Sequence, residues 1–207
     1  VIPVSPRLFA ERRKAAAGRG KKFAAAGFAA AVIAAGAWML FGRENADDLL
    51  ARGRELYGGG DYEGALNYYT RAAEKNPAMA EALLGVADAL ERLDRRGEAV
   101  DAYYRCLQAA PGDPLVHLKL GFLFLTMGSY ENALRSFHES VNFNPADVRA
   151  FSGMGRAYEA GGDYAQAVSA YRKALDLSPS NEDRDALKRT EGELSRQNEE
   201  AEQRRRD

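Results

Sequence analysis

Few side chains in this 207-residue chain could perform chemistry. It contains one cysteine, Cys106, and two histidines, His117 and His138, which are residue types that often act as nucleophile or general base near neutral pH. The chain has no Cys-x-x-Cys pair, phosphate-binding loop, calcium loop or metal-ligand spacing. We therefore predict no catalytic residue, no cofactor and no metal site. Cys106 is interpreted as a buried, inert thiol and both histidines as structural or surface residues.

Charge is unevenly distributed, although the 29 Lys and Arg residues nearly balance the 30 Asp and Glu residues. Residues 1–22 are strongly basic, so the remainder of the chain is net acidic. The net negative charge after residue 22 repels nucleic-acid phosphates. The basic N-terminal flank is typical of a membrane boundary or a targeting signal. We predict no nucleic-acid partner.

Residues 23–41 are uncharged and rich in alanine. A helix of this length spans about 30 Å, which matches the hydrocarbon core of a bilayer. We predict one transmembrane helix, a signal anchor that binds the lipid bilayer. The alternatives are a cleaved secretory signal, an organelle-targeting segment or a buried helix. Small residues recur on one face at Gly27, Ala31 and Ala35, a spacing that permits a homodimer.

The basic flank also predicts the orientation of the chain. Basic residues concentrate before residues 23–41, and basic flanks stay in the cytoplasm. We expect a single-pass protein of a bacterial inner membrane, with its N-terminus cytoplasmic and the following residues periplasmic.

A period of 34 residues organises the rest of the chain. Prolines recur at this spacing, with an alanine twelve residues and an aromatic residue eight residues before each. The prolines are Pro77, Pro111, Pro145 and Pro179; the alanines are Ala65, Ala99, Ala133 and Ala167; the aromatic residues are Tyr69, Tyr103, Phe137 and Tyr171. Such a period indicates a repeat architecture.

These columns resemble the tetratricopeptide repeat signature, in which a first helix W-x₂-L-G-x₂-Y is followed by A-x₃-F and then by proline. The best copy reads Phe151, Met154, Gly155 and Tyr158, then Ala167, Tyr171 and Pro179. The resemblance covers residues 46–181. It implies an all-α superhelical solenoid of four helix-turn-helix repeats, at 46–79, 80–113, 114–147 and 148–181.

The charged residues 182–207 follow the last repeat. We predict that they form a capping helix and tail, because repeat arrays need a polar end. Leu187, Leu194 and Ala201, seven residues apart, provide its thin apolar stripe. The alternative is a short charged coiled coil, for which two leucines are too few.

In this family the first helix of each repeat lines a concave groove. Carried onto this sequence, the resemblance predicts partner-binding residues at Leu84, Asp88, Glu91, Leu118, Phe122, Leu125, Ser152 and Arg156. Residues 115–127 are apolar nearly all round, which leaves Leu118, Phe122 and Leu125 as a stripe beyond the packing positions. We interpret this stripe as a partner pocket. The alternative is that curvature or the N-terminal segment covers it.

These observations predict a membrane-anchored scaffold or adaptor that binds a membrane-proximal protein or peptide in its concave groove. Bacterial envelope assembly, secretion and respiratory-complex maturation are the processes we consider. The alternatives are an organelle-membrane receptor with cytosolic repeats and a non-catalytic subunit of a larger membrane enzyme complex.

Overall fold

The computed structural model describes residues 44–207, within which all regular structure is helical. The helices are α1 (Ala46–Gly58), α2 (Tyr62–Lys75), α3 (Ala80–Arg92), α4 (Arg96–Ala109), α5 (Pro114–Thr126), α6 (Tyr130–Phe143), α7 (Val148–Ala160), α8 (Tyr164–Leu177) and α9 (Asn181–Arg206). The first eight pair into hairpins 1 to 4, in chain order, each made of a first and a second helix. The predicted all-α repeat fold is confirmed.

Short polar segments begin and end the helices. The side chain of Asp113 accepts a hydrogen bond from the backbone N–H of Leu115 and caps α5. Asp147 accepts one from the backbone N–H of Arg149 and caps α7. Within the hairpins, three turns contain a glycine with positive φ: Gly60, Gly128 and Gly162. The turn of hairpin 2 has Asp94 at φ 58° instead, since aspartate tolerates this region better than most residues.

The aromatic column of the second helices fills the space between neighbouring hairpins, as the sequence predicted. The ring of Phe137 lies between Gly121 on α5 and Gly153 on α7. A Cβ atom added to either glycine would meet the ring at 2.6 Å or 2.5 Å, respectively. The same arrangement occurs at Tyr69, Gly53 and Gly85. The two first helices can therefore approach closely across the ring.

The spacing of the first helices is uneven along the array. Helices α1 and α3, and likewise α5 and α7, contact each other directly, whereas α3 and α5 stand further apart. The positions around Tyr103 that correspond to the paired glycines are Ala87 and Lys119, which leave less room for close approach. Consecutive second helices have at most marginal contact. This arrangement puts the first helices on the inner face of a curved array.

Helix α9 packs along α8 with its first half. Ala186 and Thr190 are buried there, and Leu187 and Leu194 are half-buried. Residues 195–207 are exposed. The start of α9 thus covers the open side of hairpin 4, and its remainder is a solvated helix.

No helix within residues 44–207 is both long enough and apolar enough to cross a membrane. The predicted transmembrane helix, residues 23–41, and its basic flank, residues 1–22, lie outside the described residues.

Candidate functional site

The predicted partner-binding residues lie on the first helices of hairpins 2, 3 and 4. Corresponding positions of the three hairpins form three columns. The first column is Leu84, Leu118 and Ser152, and the second is Asp88, Phe122 and Arg156. The third is Glu91, Leu125 and Glu159, of which Glu159 was not among the predicted residues. Residues four and seven positions apart share one face of a helix. The columns therefore follow the inner face from one hairpin to the next.

The residues of the first column are buried or half-buried rather than exposed in the groove. The expectation that Leu118 is open to a partner is therefore wrong. Leu118 is 2% exposed and belongs to the main hydrophobic core. Leu50, at the same position of hairpin 1, is also buried, whereas Leu84 and Ser152 are half-buried. The close approach of α1 to α3 covers Leu50, and that of α5 to α7 covers Leu118. Leu84 faces the wider junction and stays partly open.

In hairpin 2, two carboxylates converge on one hydroxyl group. The hydroxyl of Tyr103 lies 2.8 Å from Asp88 Oδ1 and 2.9 Å from Glu91 Oε2, and Lys119 Nζ lies 3.0 Å from Asp88 Oδ1. Burial, followed by the charges of Asp88 and Glu91, raises the pKa of Tyr103 far above its usual value. The hydroxyl therefore stays a donor. These four residues, the Tyr103 cluster, carry two negative charges and one positive charge.

A related arrangement occurs in hairpin 4. The hydroxyl of Tyr171 donates to Glu159 Oε2 at 2.8 Å, and Arg189 on α9 donates from Nε to Oε1 at 2.8 Å. Burial acts to raise the pKa of Glu159, but the hydrogen bonds from Arg189 and Tyr171 outweigh it and hold this pKa below its usual value. Arg156 is exposed and has no hydrogen bond or ion pair within the described residues. These four residues, the Tyr171 cluster, carry two positive charges and one negative charge.

Hairpin 3 is apolar where its neighbours are charged. Phe122 packs edge-on against Phe137, with ring centroids 5.0 Å apart. Leu125 occupies the position of Glu91 and Glu159, and Phe137 takes the place of the tyrosine that binds the glutamate in hairpins 2 and 4. Phe122 and Leu125 are both half-buried. An apolar strip thus separates the two charged clusters on the inner face.

A cavity of about 420 Å³ opens beside this strip. Its lining comprises Leu125, Tyr130, Arg156, Glu159, Ala160 and Arg189. It therefore combines apolar walls with two guanidinium groups, one of which is unpaired. A second cavity, of about 310 Å³, shares Arg156 and Arg189 with the first, and its lining also contains Tyr171, Glu182, Asp183, Asp185 and Ala186.

The sequence identified Asp88, Glu91 and Arg156, but it did not identify Lys119, which pairs with Asp88, or the ion pair of Glu159 with Arg189 beside Arg156. Lys119 and Arg189 lie outside the family columns, and their partners are distant in sequence. The sequence does contain one signal of these contacts. Repeats with a tyrosine in the aromatic column, Tyr103 or Tyr171, have a glutamate in the third column, whereas the repeat with Phe137 has a leucine there.

The side chains that could do chemistry are dispersed. Cys106 is fully buried, its Sγ lies 3.3 Å from the carbonyl oxygen of Ala80, and burial raises the pKa of its thiol to about 11. His117 stacks on Phe143 with ring centroids 5.7 Å apart, and His138 is exposed on α6. Within residues 44–207 no group of three or more His, Cys, Asp or Glu side chains could hold a metal ion.

Comparison with known proteins gives a consistent family. A family model described as tetratricopeptide repeat matches residues 50–114 and again residues 118–182. Small glutamine-rich tetratricopeptide repeat-containing protein 2 of Mycosarcoma maydis is 26% identical over 110 residues, which cover 53% of this chain and 31% of that protein. Hsp70-Hsp90 organizing protein 1 of Glycine max is 25% identical over 114 residues, which cover 55% of this chain and 20% of that protein. The chain thus spans less than a third of the length of these relatives.

Solved structures share the fold over most of their length. A crystal structure of MamA protein has a TM-score of 0.64 and 25% identity, and the match covers 76% of this chain and 86% of that one. MamA from Desulfovibrio magneticus RS-1 has a TM-score of 0.63 and 24% identity, and the match covers 73% of this chain and 92% of that one.

Proposed function

Because this chain belongs to the tetratricopeptide repeat family, we propose that it is a scaffold that binds a segment of another protein along its inner face. Proteins of this family generally act as protein-binding scaffolds, and solenoids of this type use their concave surface for binding. The name of the Glycine max relative describes the organisation of two other proteins, which is consistent with such a role.

The observation that carries the proposal is the cavity beside Leu125. Arg156 has no ion pair within the described residues, and apolar groups of Leu125 and Tyr130 lie next to it in the lining. A partner segment with an apolar side chain and a carboxylate would bury the former and pair the latter. The cavity is open to solvent and Arg156 is exposed, so a peptide can enter without a rearrangement of the hairpins.

Photo-crosslinking tests the binding face directly. A benzoylphenylalanine residue in place of Glu91 or Arg156 should crosslink to a partner in cells of the native host. The same residue in place of Arg135 or Glu139, which are exposed on α6, should not. Crosslinks that form equally from both faces, or only from α6, would refute the inner-face proposal.

We also propose that residues 23–41 anchor the chain in a bacterial inner membrane, with the repeats on the periplasmic side. The uncharged length of this segment and its basic flank support the proposal. The repeats would then bind a membrane-proximal partner in envelope assembly, secretion or respiratory-complex maturation.

Fractionation and protease protection test the anchor. The full chain should remain in the membrane pellet after an alkaline carbonate wash, and deletion of residues 23–41 should release it. Protease added to spheroplasts should degrade the repeats. Protection in intact spheroplasts, with degradation only after lysis, would indicate cytosolic repeats and overturn the orientation.

A further inference from the structure

The two charged clusters on the inner face have opposite net charge. The Tyr103 cluster contains Asp88, Glu91 and Lys119, and the Tyr171 cluster contains Glu159, Arg156 and Arg189. They occupy hairpins 2 and 4, and the apolar strip of Phe122 and Leu125 in hairpin 3 lies between them. Among these side chains the charge therefore changes from negative in hairpin 2 to positive beside hairpin 4, where the carboxylates of Glu182, Asp183 and Asp185 line a neighbouring cavity.

The acidic end has acceptor capacity that its own residues do not fill. One phenolic O–H can donate to only one acceptor at a time, yet both Asp88 and Glu91 contact the hydroxyl of Tyr103. Lys119 compensates Asp88. Glu91 is exposed, so its carboxylate remains available to a cation that arrives from solvent.

The basic end has the complementary property. Arg189 donates two hydrogen bonds to Glu159, so these two charges offset each other. The charge of Arg156 also acts on Glu159, but its five N–H donors have no hydrogen-bond acceptor within the described residues. The carboxylates of Glu182 and Asp185 line the second cavity but form no ion pair with Arg156. A carboxylate in the cavity beside Leu125 would meet both guanidinium groups.

We propose that the inner face selects a bipolar peptide, with a basic side chain bound at Glu91, an apolar side chain on Phe122 and Leu125, and a carboxylate bound at Arg156. This inference rests on the proposed protein-binding function and adds the chemistry of the partner. Two steps between helices at 8–10 Å each give about 20 Å, and the wider spacing of α3 and α5 adds to this distance. An extended chain covers 20 Å with about six residues, so the basic and acidic side chains of the partner stand at least about six residues apart.

Three synthetic peptides test the proposal by fluorescence anisotropy with the full chain in non-ionic detergent. Each is twelve residues long with a central Leu-Phe pair. One carries lysines at one end and glutamates at the other, one carries lysines at both ends, and one carries glutamates at both ends. We expect the bipolar peptide to bind at least about fivefold tighter than either of the others at low salt, with a preference that declines as salt is added.

Single charge reversals should change the preferred peptide. Glu91→Lys makes both ends of the face basic, so the variant should prefer the all-glutamate peptide. Arg156→Glu makes both ends acidic, so the variant should prefer the all-lysine peptide. Both side chains are exposed, and Tyr103 keeps Asp88 as an acceptor, so the fold tolerates both changes. Circular dichroism verifies that the helical content is unchanged.

The matched controls are Arg135→Glu and Glu139→Lys on α6, which make the same charge changes on the outer side. They should keep the wild-type order of the three peptides. The proposal is overturned if the three peptides bind the wild-type chain equally or not at all, or if the inner reversals leave their order unchanged. Crosslinking from the inner face would still stand in that case, and would show that the scaffold binds a partner of other chemistry.

Discussion

The hydroxyl of Tyr171 donates a hydrogen bond of 2.8 Å to Glu159, and this pair is repeated 68 residues earlier by Tyr103 and Glu91. In the intervening hairpin neither the hydroxyl nor the carboxylate is present, because Phe137 and Leu125 take their places. Donor and acceptor thus change together across hairpins 2 to 4. A buried hydroxyl needs an acceptor and a phenyl ring does not, so the inner-face residue is coupled to the core residue behind it.

This coupling predicts the effect of removing one hydroxyl. Tyr171→Phe should lower the free energy of unfolding by about 1–2 kcal/mol, because a hydrogen bond to a charged acceptor is lost while Arg189 still compensates Glu159. Urea denaturation measures the change. Tyr69→Phe is the matched control, since Tyr69 is also buried, with 5% of its surface exposed against 1% for Tyr171, but its hydroxyl has no hydrogen bond within the described residues. Equal losses in the two variants would refute the coupling.

The depressed pKa of Glu159 predicts a dependence of stability on pH. Its pKa in the folded state lies below the usual 4.5, so folding favours the ionised form. The resulting stabilisation is complete above about pH 4.5 and is lost as the pH falls through the folded-state pKa. The difference in stability between wild type and Glu159→Gln should therefore be largest near pH 7 and should shrink below pH 4.5.

Urea titrations at several pH values measure this difference. Glu139→Gln serves as the control, because Glu139 is exposed and has no ion pair within the described residues. Its difference from wild type should stay small and flat over the same range. A Glu159→Gln difference that is constant from pH 7 to pH 3 would contradict the prediction.

The repeat fold and the roles of its columns were predictable, because each column meets one local requirement. A proline cannot continue a helix, and an aromatic ring in the second helix fills the gap between hairpins. The burial of Leu118 was not predictable in the same way. It depends on how closely α5 approaches α7, which Gly153 permits, and this residue lies outside the family columns.

The charged clusters were only half predictable for a related reason. Glu91 and Arg156 were identified by their positions on the first helices, but their environment depends on contacts between residues distant in sequence. Tyr171 and Arg189 reach Glu159 from positions 12 and 30 residues away. The coincidence of tyrosine and glutamate in two repeats indicates the first contact, whereas the second follows from the packing of α9 against hairpin 4, which no repeat column encodes.

The contact between Gly153 and Phe137 predicts a substitution that hairpin packing cannot absorb. A Cβ atom at position 153 would lie 2.5 Å from the ring, so either Phe137 or the whole of α7 must move. Gly153→Ala should destabilise the protein by about 1–3 kcal/mol, although alanine is the better helix former. Thermal or urea unfolding measures this effect.

Two further variants separate packing from helix propensity. Gly192→Ala on α9 places its Cβ in open space and should stabilise the protein by up to about 1 kcal/mol. Phe137→Leu should remove most of the additional cost of Gly153→Ala in the double variant, since the clashing ring atoms are gone. If Gly153→Ala stabilised the protein, the packing of α7 against Phe137 would be looser than the contact distance implies.

The environment of Cys106 predicts an unreactive thiol in the folded chain. Its Sγ contacts the carbonyl oxygen of Ala80 at 3.3 Å, and 34 residues later Ser140 donates to the carbonyl oxygen of Pro114 at 2.9 Å in the same way. The position thus serves to join the two helices of a hairpin.

With its pKa raised to about 11, Cys106 has little thiolate at pH 7.5, and its burial excludes reagents. Ellman's reagent should react with it at least about 100-fold more slowly than with a cysteine introduced at the exposed Ser195 of a Cys106→Ser variant. In 6 M guanidinium chloride the two thiols should react at similar rates, whereas similar rates in the native state would show that hairpin 2 opens far more readily than its contacts indicate.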